Sequence, residues 1–93
     1  MNKRETIKQA LIFEGIKCDI RGFDFLLDAI EMYSPMKKLT NDIYKAIAEK
    51  NNTTISRVER SIRHAVAVKE MTNRGFISKV YYNCIDGRRL GNE

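Results

Sequence analysis

Only one proline, Pro35, interrupts 93 residues that carry five glycines, and the apolar side chains recur mostly three or four positions apart. Helix interiors exclude proline and penalise glycine, so a chain poor in both, with that period, is constrained towards helices joined by short connections. The expected fold class is all-α: a compact bundle of about five to six helices in a single unit spanning residues 1–93. Ile7, Leu11 and Ile12 mark a first helix, and Gly15 stands where a glycine past the C-terminus ends one. Residues 16–21 read as an extended link. Gly22 opens a second helix whose face holds Phe23, Leu26, Leu27, Ile30 and Tyr33, and Ser34-Pro35 closes it. A third helix starts near Thr40 as N-cap, with Asp42 in its first turn, and carries Ile43, Tyr44, Ile47 and Ala48. It stops around Asn51-Asn52, because asparagine tolerates the left-handed backbone of a tight turn. Thr53 or Thr54 caps a fourth helix that runs to about Lys69 or Met71, with Ser56-x-x-Glu59 as a competing capping box. In the last stretch Phe76, Ile77, Val80, Tyr81, Cys84 and Ile85 keep helical spacing, with Asn73 as cap. Their β-branched and aromatic character also suits a strand ending at Asp86-Gly87; the spacing favours the helix. Residues 88–93 read as a frayed tail.

The hydrophobic fraction of 43% is enough for a globular core and too high for a disordered chain. No apolar run approaches the roughly 18 residues of a membrane span. The charged start Met1-Asn2-Lys3-Arg4-Glu5 is not followed by the apolar stretch of a secretory signal, so a cytoplasmic location and no membrane partner are expected. Cys18 and Cys84 lie far apart, without CxxC spacing, in a chain with one histidine. They read as reduced core thiols, not as zinc ligands. Asp19, Asp24 and Asp28 lack the spacing of a metal loop. His64 has no nucleophile beside it, and no P-loop, nucleophile elbow or glycine-rich dinucleotide motif occurs. Neither an enzyme nor a cofactor nor a metal is expected. The net charge of +5 favours an acidic partner, of which nucleic acid is the commonest.

The distribution of the charge sharpens this. Ala48, Asn52 and Val58 stand at the spacing of a helix-turn-helix over about residues 40–70, with no wing. A small residue lets two helices cross closely, the turn residue must accept a positive φ, and a later aliphatic anchors the second helix on the first. On the fourth helix, at about 100° per residue, Ile55, Val58, Ile62, Ala65 and Val66 gather on one side. Arg57, Arg60 and His64 point nearly opposite, and Ser56, Glu59 and Arg63 lie on the flank. Forked guanidiniums near the N-terminus of such a helix can donate bidentately to guanine, and a carboxylate can accept from cytosine N4. Read as a solvated face instead, the same residues would pair Glu59 with Arg63 at i,i+4. Lys3, Arg4, Lys8, Lys37 and Lys38 are candidates for contacts with the DNA backbone.

The run from Asn52 to Val66, NTTISRVERSIRHAV, closely resembles the DNA-binding effector domain of the master sporulation response regulator of spore-forming Firmicutes. Asp19-Ile20-Arg21-Gly22-Phe23, Asp28-Ala29-Ile30 and Ile47-Ala48-Glu49-Lys50 extend the match upstream. The resemblance implies an all-helical domain that reads a TGTCGAA-like box in double-stranded DNA with Arg57, Glu59 and Arg60. Arg63 is then expected on phosphate, and Thr54, Ser56 and His64 on the backbone or flank. Members typically carry an N-terminal phosphoacceptor receiver, for which this chain has no room, so a short stand-alone form is expected. The family also has a longer stretch before its last helix, a region that helps contact RNA polymerase. Here Met71-Thr72-Asn73 leads almost directly to Phe76-Ile77, so contact with polymerase is doubtful and operator occupancy as a repressor or competitor is expected. Two copies binding in tandem or as a homodimer would add affinity. The rival expectation is a protein-interaction module that sequesters a full-length regulator; the intact Arg57, Glu59 and Arg60 argue against it.

Overall fold

The computed structural model describes residues 2–84. Five α-helices follow one another without a strand among the described residues: α1 (Lys3–Phe13), α2 (Arg21–Met32), α3 (Lys45–Lys50), α4 (Ile55–Val66) and α5 (Asn73–Cys84). The all-α fold class stands. The last segment is helical through Cys84; the strand end at Asp86-Gly87 and the tail at 88–93 lie outside the described residues.

Local chemistry explains most boundaries. Gly15, at φ +88°, closes α1 with the N–H of Ile16 donating to the Leu11 carbonyl at 3.1 Å and that of Gly15 to Ile12 at 3.0 Å. This is the paired bonding of a Schellman end, and Ile16 packs back into the core behind it. Two expected caps differ. Thr40 is not an N-cap, because the chain already turns at Leu39–Tyr44, a π-helical stretch leading into α3. There the Asp42 carboxylate reaches back to accept from the Lys38 N–H at 2.7 Å. Asn73 does not cap α5 either; the Thr72 hydroxyl accepts from the Gly75 N–H at 3.0 Å. The Asn73 amide is drawn inward to buried acceptors, a tertiary demand that local propensity does not register.

The core draws on every helix: Ile7 and Leu11, Leu26 and Ile30, Ile47, Val58 and Ile62, Phe76 and Ile77 are fully shielded. Of the expected apolar positions, Ile12 turns outward. Cys18 corrects another expectation: it is exposed, in the link before α2, while Cys84 is half-buried against the core. No described helix is long and apolar enough to cross a membrane. α2 packs against α4 more extensively than any other element does and is its principal support.

Ion pairs tie the outer edges. Asp28, buried on α2, accepts from Arg4 at 2.9 Å and from Lys50 at 3.3 Å, joining α1, α2 and α3. Glu14, just past α1, meets Lys69 at 2.9 Å and Lys79 at 3.4 Å. The Lys69 hydrogen bond, against partial burial, holds the Glu14 carboxyl below its ordinary value of 4.5. A depressed folded-state pKa stabilises the fold above that ordinary value and loses the contribution as pH falls through the folded one. Glu14→Gln should therefore cost about 1 kcal/mol or less near neutrality. Its stability should also fall less steeply than the wild type's below pH 4.5. Parallel denaturant melts across that range measure both; identical acid limbs would exclude the role.

Candidate nucleic-acid interface

Between α3 and α4 the backbone reverses in a few residues. Asn52 takes φ +54°, the Thr53 N–H donates to the Ala48 carbonyl at 2.9 Å, and the Asn52 N–H to Glu49 at 3.4 Å. Ala48 is buried at the crossing and Val58 is fully shielded beneath it. The small residue, the positive-φ turn and the aliphatic anchor thus occupy the places their spacing called for. Thr54, not Thr53, caps α4, its hydroxyl accepting from the Arg57 N–H at 3.1 Å. The Ser56–Glu59 capping box does not form, because Ser56 already lies inside the helix that Thr54 starts.

With Val58, Ile62, Ala65 and Val66 inward, Arg57, Arg60, Arg63 and His64 are left on the exposed side. The exposed side divides over two hollows. Arg57, Arg60 and His64 line an open groove of about 750 Å³ against the start of α2, shared with Arg21, Thr53 and Ser61. Glu59 and Arg63 border a second hollow on the other flank, with Thr40, Tyr44, Asn73 and Arg74. The i,i+4 pair between Glu59 and Arg63 does form, at 3.3 Å. With Arg63 63% exposed, such a pair is worth only a few tenths of a kcal/mol, so both groups can be surrendered to another partner.

α4 is held on the flank of the second hollow by a part-buried polar joint. The Asn73 amide donates to the Tyr44 hydroxyl at 3.0 Å and to the Glu59 carbonyl at 3.3 Å. Burial pushes the Tyr44 hydroxyl above its ordinary pKa, and the Asn73 hydrogen bond partly opposes this. The joint leaves the Glu59 side chain outward while anchoring its backbone.

Among the expected backbone contacts, Lys37 and Lys38 line a hollow with Thr40 and Arg74, adjoining the second one. Lys3, Arg4 and Lys8 sit on α1, which packs on α2 and α5, and the Arg4 guanidinium is engaged by Asp28 and Glu31. The structure thus separates these three from the Arg57 groove. Arg21 and Arg74, outside the expected set, instead border the hollows beside α4. Arg21 carries a local signal, an i,i+4 aromatic in Phe25, with 5.9 Å from guanidinium to ring centroid. Arg74 carries none, since its ring partner Tyr33, at 6.0 Å, is the residue just past the C-terminus of α2, 41 positions earlier. No group of three or more His, Cys, Asp or Glu side chains among the described residues is arranged to hold a metal.

Compared with protein families, the chain matches the model described as sporulation initiation factor Spo0A C terminal, over residues 7–90.

Proposed function

The chain belongs to the sporulation initiation factor Spo0A C-terminal family, and from that premise we propose that it is a cytoplasmic regulator that reads double-stranded DNA with α4 in the major groove. The observation that carries the reading is the outward face of α4. Arg57 and Arg60 lie exposed in its first half and neither has a carboxylate partner among the described residues. A helix of 12 residues is about 18 Å long, enough to cross a major groove about 12 Å wide with its N-terminal half against base edges. In this reading Arg57 and Arg60 donate to guanines, and Glu59, released from Arg63, accepts from a cytosine amine. Arg63, His64, Ser56 and Thr54 face the sugar-phosphate flank. The Thr54 hydroxyl still has its own proton to donate while its oxygen caps α4. The TGTCGAA-like box comes from the family resemblance, and two copies in tandem would raise affinity by avidity.

Fluorescence anisotropy with a TGTCGAA duplex and a scrambled one, at two salt concentrations, tests the proposal. Tighter binding to the box, weakening as salt rises, is the expected result. Equal and weak binding to both duplexes would reduce the arginine face to a general basic surface and turn attention to a protein partner.

A further inference from the structure

Six arginines are described, and they sort by position. Arg4 and Arg63 are paired with carboxylates. The other four, Arg21, Arg57, Arg60 and Arg74, have no carboxylate partner among the described residues, and all four border the hollows on the two sides of α4. Arg57 and Arg60 belong to α4 itself. Arg21 comes from α2 on one side and Arg74 from α5 on the other.

Both outlying guanidiniums rest on anchored rings. The Phe25 ring under Arg21 is buried, as is Tyr33 under Arg74. Tyr33 is itself wedged edge-on against Tyr81, with centroids 4.9 Å apart. A guanidinium held over a fixed ring, here at 5.9 and 6.0 Å from the centroid, gives up part of its conformational freedom before any ligand arrives and keeps its N–H donors for an oxyanion. Resting rings on opposite flanks of one helix suit a ligand that passes on both sides of it. A duplex does this: a helix in the major groove has a phosphate strand along each edge.

Resting on the DNA reading above, we propose that Arg21 and Arg74 form a two-sided phosphate clamp, each gripping one of the strands that border the groove occupied by α4. The clamp sets the depth and register of α4 without contributing to base choice.

The test is the anisotropy titration over a salt series with Arg21→Gln and Arg74→Gln, each also made as the lysine. Both glutamine variants should weaken binding to box and scrambled duplexes by the same factor. Each should reduce the magnitude of the slope of log K against log salt by about 1. The double variant should lose about twice that, and lysine at either position should restore the slope. Thermal melts of the same proteins confirm that folded molecules are compared. Wild-type slopes in the glutamine variants, or a changed box-to-scrambled ratio with the slope intact, would overturn the clamp alone. Failure of the wild type to bind either duplex would overturn the DNA reading and the clamp with it.

Discussion

Gly22→Ala is expected to destabilise the protein strongly, although alanine is the better helix former. Gly22 lies in the first turn of α2 and is buried. In a free helix the exchange would gain up to about 1 kcal/mol. Here a Cβ would run into the Ser61 carbonyl oxygen of α4, well inside van der Waals contact, and would meet the Ala65 Cβ at 3.0 Å. The obstacle is backbone within a helix, so no side-chain rotation relieves it, and α2 and α4 must move apart. Overpacking of this kind costs about 1–3 kcal/mol and occasionally more. With the main support of α4 displaced, we expect a net loss near the upper end, about 2–3 kcal/mol. For a chain of this size that lowers the melting temperature by roughly 10–20 °C. DNA binding should fall further than stability alone explains, since the same shift tilts the Arg57–Arg60 face. Thermal melting by circular dichroism decides it; a melting temperature at or above the wild type's would refute the close crossing.

Arg60→Ala should leave the fold intact and abolish most of the preference for the box. Arg60 is exposed, has no ion-pair partner among the described residues, and lies in the middle of the outward face of α4. Its removal leaves no buried cavity. A bidentate arginine–guanine pair discriminates by about 1–3 kcal/mol, so the ratio of box to scrambled affinity should drop about 5- to 150-fold. Residual binding to the scrambled duplex should fall modestly, as the loss of one positive charge requires. This pattern is the reverse of that expected for Arg21 and Arg74, where affinity falls and the ratio holds. A variant that binds both duplexes more weakly by one common factor would move Arg60 from base reading to phosphate contact.

The sign of the Gly22 effect marks where local reasoning ends. As a residue opening a helix, Gly22 is unremarkable in sequence; only the carbonyl of Ser61, 39 positions along the chain, makes it obligatory. Asn73 illustrates the same limit. Its amide is an apt cap by composition, yet it is spent on Tyr44 and the Glu59 carbonyl, and Thr72 takes the cap. Cys18 reads as core from its residue type, but the link before α2 places it in solvent.

The sequence by itself determined the helical class, the tight turn at Asn52 and the division of α4 into an apolar and a basic face. These depend on backbone sterics and a period of 3.6 residues, which act within a few positions of one another. Tertiary structure decided what stands beside that basic face. Arg21 reaches it from α2 and Arg74 from α5, the latter on a ring contributed by Tyr33. It also decided that Arg4, equally basic in sequence, is neutralised by Asp28 and Glu31. Charge neutralisation and cation–ring contacts act through space over a few ångströms, between residues whose separation along the chain carries no record of their meeting.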